Sequence, residues 1–408
     1  MSRATTMAAT VVPPSAAAAE SASASVLPWS VETIQVGKGW ISEESGGLNR
    51  YYSGLVQELP RVGVGVRGLV VGSDQVAART SGAVRSFAPQ ASSLPTRLTG
   101  IRACARTELS ERPDGLFVTH FALYAAPCLD LQRDRPMVVH FQGPWSAESR
   151  VEGAGRVATR VKHWIESRVY ARAARLIVLS RAFGQLLERD YGIDADRIRL
   201  IPGGVDTQRF LPVQSRLEAR RALGWPTDRP IALVVRRLVR RMGLEDLLAA
   251  VTQARRAVPD LLVMIAGTGP IADELKARTA EAELESTVRF LGFLPDEDLP
   301  TAYRAADLSI VPSVALEGFG LIVVESLASG TPALVTSVGG LPETIEGLAP
   351  QCIIGEPGPA PLAATLVDAL RGALPLPSSN ACVRHAQSRF DWSVVTRRVR
   401  DTYMEALQ

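Results

Sequence analysis

Residues 315–325 read Ala-Leu-Glu-Gly-Phe-Gly-Leu-Ile-Val-Val-Glu, "ALEGFGLIVVE": an apolar run bracketed by Glu317 and Glu325, with two glycines just after the first. A buried carboxylate is costly unless something pairs with it, which leaves two readings. In one, Glu317 lies on a loop and Glu325 on a solvated helix face. In the other, both point into a site. The surroundings favour the second. The stretch follows "LSIVPS", a short apolar run of strand type, and the helix it opens ends at Ser329-Gly330-Thr331-Pro332, a C-cap glycine followed by a stop. Glu317 is therefore expected at the carboxyl end of a strand, with a helix starting near Leu321. Gly318 and Gly320 let backbone approach a ligand closely. Free N–H groups around Phe319, Gly320, Leu321 and Ile322 make the helix start an anion site. Glu325, about one turn in, can reach back toward the same mouth.

The same strand-then-helix alternation runs outward in both directions. From Val31 the strand candidates are "VETIQVG", "VRGLVVG", "GLFVTHF", "PMVVHFQ", "RLIVLS" and "IRLIP", with helical stretches such as 47–59 and 156–174 between them. The second half gives "PIALVVRR", "LLVMIAG", "VRFLG", "LSIVPS", "PALVTS" and "QCIIG". Strands alternating with helices imply parallel sheets covered on both faces. Two such series predict an α/β chain of two doubly wound, Rossmann-like domains facing across a cleft. The boundary is expected in "PGGVDTQRFLPVQS", residues 202–215, where Gly, Pro and polar residues cluster. In open parallel sheets ligands bind beyond the carboxyl ends of the strands, so the residues to weigh are those just after each strand.

The chain has 408 residues, too many for one compact core, with 46% hydrophobic and 21% charged residues. Its net charge of +3 is too balanced to imply nucleic-acid binding. Cys104, Cys128, Cys352 and Cys382 form no C-x-x-C pair, which suits reduced thiols in the cytoplasm better than a disulfide framework or a metal site. No run of 18 or more apolar residues occurs, so no membrane-spanning helix is expected. Residues 1–30 are rich in Ala, Ser, Thr and Pro and are expected to form a disordered tail. "GVGVRG", Gly63 to Gly68, has the letters of a dinucleotide fingerprint but is followed by a strand-like run rather than a helix. The triplets Asp194-Ala-Asp196 and Asp296-Glu-Asp298 suggest turn and cap chemistry before a metal site.

Arginines cluster twice. "ALVVRRLVRRMG" places Arg236, Arg237, Arg240 and Arg241 after the first strand of the second series, where forked donors suit phosphate. Residues 155–175 carry Arg156, Arg160, Lys162 and Arg168 beside an apolar stripe of Val157, Val161, Trp164 and Ile165. That stripe is expected to pack on the sheet; contact with an anionic membrane surface is the alternative.

Together these residues resemble the retaining glycosyltransferases of family 4, which have the GT-B fold. Glu317, Phe319, Gly320 and Glu325 match the family's Glu-x-Phe-Gly-x-x-x-x-Glu signature. "SGGLNRYYSGL" resembles its glycine loop (Gly46, Gly47), "GLFVTHFAL" puts His120 at its active-site histidine, and "IPGGVDTQRF" resembles its hinge, with Gly203 for Asn. In "VVHFQGPW", Gln142 stands where a histidine is common, and "IAGTGP", "SVGGLPE" and a closing "FDWSVVTRRVRDTYMEAL" follow in family order. The resemblance implies an acceptor-binding domain over 31–205, a nucleotide-sugar-binding domain over 206–385, and a helix over 386–408 returning to the first. It implies transfer of a sugar from a UDP- or GDP-type nucleotide sugar to a carbohydrate, lipid-linked or small-molecule hydroxyl, with retained anomeric configuration and no cofactor or metal. Arg237 and Arg241 would meet the diphosphate with the amides of residues 318–322, Glu325 the ribose, Glu317 the sugar, and His120 the acceptor side. Peripheral contact with the inner membrane face fits the basic helix. One departure stands out. Where the family reads Gly-Arg-Leu and then Lys-Gly, this chain has Arg236 for the glycine and Met242 for the lysine, and Arg241 is expected to compensate. A nucleotide-sugar epimerase, a catalytically silent nucleotide-sugar-binding protein and a nicotinamide oxidoreductase are the competing classes.

Overall fold

The computed structural model describes residues 31–408, so the tail expected over 1–30 lies outside the described residues. The strands are β1 (Val31–Gly39), β2 (Val64–Val71), β3 (Val84–Ala88), β4 (Leu116–Thr119), β5 (Met137–Phe141), β6 (Arg175–Val178), β7 (Ile198–Leu200), β8 (Ile231–Val235), β9 (Leu262–Ala266), β10 (Val288–Gly292), β11 (Leu308–Val311), β12 (Ala333–Thr336) and β13 (Ile353–Ile354). They form two sheets, ordered β3-β2-β1-β4-β5-β6-β7 and β10-β9-β8-β11-β12-β13. Every strand pairing within them is parallel. Central strands such as β5 and β9 are buried along their whole length, which is why they read as unbroken apolar runs. In each sheet the strand order reverses at a central crevice, the place where doubly wound folds bind ligands.

One strand was not anticipated. β3, "VRSFA", lies at a sheet edge with Arg85 exposed, so it lacks the continuous apolar run of its neighbours. The fingerprint-like "GVGVRG" is mostly the strand β2 itself, so it opens no helix.

The helices that matter for the site are α1 (Gly47–Glu58), α2 (Trp145–Val151), α3 (Arg156–Arg172), α4 (Leu299–Ala305), α5 (Leu321–Ala328), α6 (Ser379–Phe390) and α7 (Trp392–Ala406). Among the described residues, no helix is long and apolar enough to cross a membrane. The chain passes between the two sheets twice, and the two passages pair: Val205 N donates to Phe390 O (2.8 Å) and Trp392 N to Val205 O (3.2 Å). Trp392 lies flat on the backbone of Gly54 and Gly204, where any Cβ would strike its indole. From there α7 runs against α1 and the strands β1, β5 and β6.

α3 corrects the sequence reading. Most of its stripe does not pack on the sheet: Val157, Val161 and Trp164 are 77%, 52% and 59% exposed, and Ile165 is half-buried. The inward face is instead Glu166, Val169 and Tyr170. Glu166 orients the helix, because its carboxylate accepts from Ser146 N (3.1 Å) and Tyr191 Oη (2.9 Å). Leaving that buried carboxylate without its donors would be costly, which keeps this face of the helix inward.

Candidate active site

Between the sheets lies a cavity of about 490 Å³. Its walls include Gly46 and Gly47 at the start of α1, His120 after β4, Gln142 after β5, Glu148 on α2, and Arg236, Arg237 and Arg241 after β8. Glu317, Gly318, Phe319, Gly320, Leu321 and Ile322 complete it. Of the residues expected to meet donor or acceptor, only Glu325 is not on the wall.

The mouth of α5 follows from its backbone. Leu316 holds φ 51°, rare for a residue with a Cβ, and Gly320 at φ 90° forms the helix N-cap. No side chain caps α5, so its first amides are open to the cavity. The Phe319 ring turns away into the core against Phe390, which leaves its backbone for the site. Across the cavity, α1 also starts without a side-chain cap behind Gly46, at φ 147°. Two helix starts, each a partial positive charge, thus line one cavity.

Arg236 is 8% exposed. Its Nη2 donates to Glu317 Oε2 and lies against Met242 Sδ, while its buried Nη1 has no partner. Ser313 Oγ donates to the same Oε2 (2.9 Å), which leaves Glu317 Oε1 open. Burial pushes the Glu317 carboxyl up, but Arg236 and Ser313 outweigh it and hold the group below the usual carboxylate range. Arg241 Nη1 donates to Leu316 O (3.0 Å), and the same guanidinium faces Glu148 (3.4 Å) and Glu152 (3.6 Å). Burial raises Glu148 against the pull of Arg241 and Arg237. Arg237 itself is exposed on the cavity wall. Arg240 points away, to Glu245 and Glu274.

Glu325 stands behind the wall, buried. It faces Arg50 Nε (3.3 Å) and accepts from Tyr303 Oη of α4 (3.2 Å). Burial raises its carboxyl, opposed chiefly by Arg50. Arg50 lies on α1, so this pair joins the two sheets' domains. Its other arm holds Asp296, which also faces Arg209 (2.8 Å). Asp296 was expected to act as a helix cap; it makes no cap bond and serves as an ion-pair partner, because two arginines reach it first. Asp194 does sit in a turn, ahead of 195–197.

His120 is buried and stacked on a residue that escaped notice in the sequence, His140, at 4.3 Å between rings. One assignment of the two imidazole tautomers gives a directional chain that ends on the Tyr51 hydroxyl. Gln142 Nε2 donates to His120 Nδ1 (3.3 Å), and His120 Nε2 to Gln35 Oε1 (2.9 Å). Gln35 Nε2 donates to Tyr403 Oη (3.1 Å), Tyr403 Oη to His140 Nε2 (2.8 Å), and His140 Nδ1 to Tyr51 Oη (3.0 Å). Burial holds both rings neutral, His120 with help from His140, and takes His140 down to about 3. The chain of bonds ties the cavity wall to α7 and α1.

Two parallel-sheet domains with a cleft between them are the GT-B architecture. Residues 215–389 match the family model for glycosyl transferases group 1, and residues 45–209 that for glycosyltransferase family 4. A D-inositol 3-phosphate glycosyltransferase of Saccharomonospora viridis is 30% identical over 90% of each chain. Another, from Corynebacterium kroppenstedtii, is 35% identical over 60% of this chain, an alignment that spans 56% of that relative. Anabaena HepE, solved with UDP and glucose, superposes with a TM-score of 0.75 over 92% of this chain and 100% of its own, at 18% identity. The chain belongs to glycosyltransferase family 4. The epimerase and oxidoreductase readings gain no support.

Proposed function

We propose that the protein transfers a sugar from a UDP- or GDP-sugar to the hydroxyl of a carbohydrate, lipid-linked or small-molecule acceptor, retaining the anomeric configuration and needing no metal. One observation carries this: three arginines and two uncapped helix starts line the cavity that also holds Glu317. Such donors can stabilise a departing diphosphate in place of a cation. Glu317 Oε1 accepts from sugar hydroxyls while Arg236 and Ser313 fix the other oxygen. His120, neutral and bonded at both nitrogens, forms a rigid wall on the acceptor side. Glu325 binds the ribose after exchanging Arg50 for it. The use of UDP by a neighbour of the same fold supports a donor of this type. The test is a panel of UDP-, GDP-, ADP- and dTDP-sugars in excess chelator, with the product anomer read by NMR. Turnover of one UDP- or GDP-sugar with retention is expected. Inversion, or activity restored only by magnesium or manganese, overturns the proposal.

The exposed face of α3 supports peripheral contact with an anionic membrane. Arg156, Arg160 and Arg168 surround Val157, Val161 and Trp164, and the Arg168 guanidinium lies over the Trp164 ring (5.1 Å). Cations around exposed apolar side chains match anionic headgroups over acyl chains. Lys162 is engaged elsewhere, on Ser149 and over Trp145. Sedimentation with phosphatidylcholine vesicles containing phosphatidylglycerol is expected, and loss of it in Arg160→Glu/Trp164→Ser. Equal binding to pure phosphatidylcholine, or none to either, refutes the contact.

A further inference from the structure

We propose that Glu148 and Glu152 make the acceptor side of the cavity selective for an uncharged sugar or polyol, so that an acceptor bearing a phosphate is turned away. The inference rests on the transfer reading above and names the acceptor class within it.

Charge on the cavity wall is divided by domain. The second domain contributes Arg236, Arg237 and Arg241 against Glu317 alone. The first contributes one cation, Lys38, against Glu44, Glu148, Glu152 and Glu166. Lys38 is held by Glu44. Lys162, behind the wall, donates to Ser149 Oγ (2.6 Å) and lies over the Trp145 ring. Both cations of the first domain near the cavity are therefore engaged.

The carboxylates differ in what they hold. Glu166 is spent inside the fold, accepting from Ser146 N, Tyr191 Oη and Tyr170 Oη. Glu148 and Glu152 have one partner between them, Arg241, which faces them across the cleft at 3.4 and 3.6 Å. One guanidinium against two carboxylates leaves one negative charge over. Among the described residues, neither carboxylate accepts a hydrogen bond. Open carboxylate oxygens accept from hydroxyls, which is what a sugar or polyol offers. They repel a phosphate at the same distance, the more so in a half-enclosed cavity.

Glu148 stands where the acceptor must pass. Burial raises its carboxyl, Arg241 and Arg237 oppose that, and Glu152 and Glu317 add to it. Glu148 thus feels Glu317 across the cavity, and a sugar held by Glu317 presents its other side to Glu148. Arg237, the exposed cation, lies on the opposite wall with the proposed diphosphate site. The D-inositol 3-phosphate glycosyltransferases are named for a compound that carries a phosphate. The charge of this wall argues for a different acceptor here, chosen by repulsion as well as by fit.

The test uses the full chain and whichever nucleotide sugar it hydrolyses in water. Acceptors are offered in pairs: inositol and D-inositol 3-phosphate, glucose and glucose 6-phosphate, fructose and fructose 6-phosphate. Release of the nucleoside diphosphate is followed. At least one uncharged member should exceed its phosphorylated partner in kcat/KM by about tenfold or more. That preference should shrink at least about threefold between about 0.05 and 0.5 M salt. It should shrink likewise in Glu148→Gln/Glu152→Gln, which keeps the shape and removes the charge. Should the double variant fail to fold, Glu152→Gln alone, at an exposed position, carries the comparison. Preference for a phosphorylated member, silence of every uncharged member, or a preference indifferent to both salt and substitution overturns the assignment. If no nucleotide sugar is hydrolysed and no nucleoside diphosphate binds, the transfer reading itself fails and the assignment falls with it.

Discussion

At the scale of single residues, the paired histidines are the strongest constraint on the site. Buried neutral, His140 resists a proton that it would accept freely at about pH 6.5 in the unfolded chain. Its folded pKa is lowered, so the unfolded state binds more protons between those values. The stability it contributes is full above about pH 6.5 and is lost as pH falls toward 3, by on the order of a few kcal/mol. Melting curves from pH 7 to pH 4 should therefore fall more steeply for wild type than for His140→Phe, which is less stable but does not titrate. Parallel slopes would show that His140 is protonated in the fold. His120 was legible in the sequence through the family resemblance of "GLFVTHFAL". His140 was not: β4 pairs with β5 as Phe117 with Met137 and Thr119 with Val139, and the next step sets His120 beside His140. The pairing register, absent from a linear reading, is what carried that information. Arg236 was overlooked for a different reason. It was seen as a departure from the glycine, with no way to know that its side chain folds inward onto Met242.

At the scale of elements, the anion site depends on how α5 begins. Gly320 holds a left-handed conformation, and a Cβ there would press on Leu341. Gly320→Ala should cost about 1–3 kcal/mol and shift the first amides of the helix. A lower urea midpoint together with a raised donor KM is the expected pair of results. Loss of stability with unchanged KM would remove these amides from donor binding. The strand-loop-helix order here was readable because each signal was local: an apolar run, two glycines, a C-cap glycine. The orientation of α3 was not, because the partners of Glu166 come from Ser146 and Tyr191, both remote from the stripe that set the expectation. β3 was hidden because its five residues include the exposed Arg85 and the half-buried Ser86, which break the apolar run.

At the scale of the whole molecule, two of the features that join the domains stand out. One is the Arg50 bridge to Glu325 and Asp296. Arg50→Ala leaves the buried Glu325 carboxylate facing only a tyrosine hydroxyl, which should cost about 3–5 kcal/mol. Adding Glu325→Gln should return part of that loss, giving a coupling of at least about 1 kcal/mol in a double-mutant cycle followed by denaturant unfolding. Additive losses would mean the pair contributes nothing in its own right. Nothing near Arg50 in the sequence pointed to this bridge, since its partners lie some 250 and 275 residues away. The other feature is α7, which delivers Tyr403 to His140 and Trp392 to the glycines of the first domain. Its consequence lies in the order of synthesis. All seven strands of the first sheet have been made by Leu200, yet Tyr403 is still about 200 residues from the peptidyl-transferase centre, a delay of roughly 10–40 s at ordinary elongation speeds. Throughout that interval His140 lacks the Tyr403 phenol and the seat of the indole on Gly54 is bare. A nascent chain in this state leaves uncovered the apolar surface that Trp392 and Tyr403 later close, and the half of the protein that leaves the ribosome first is the half completed last.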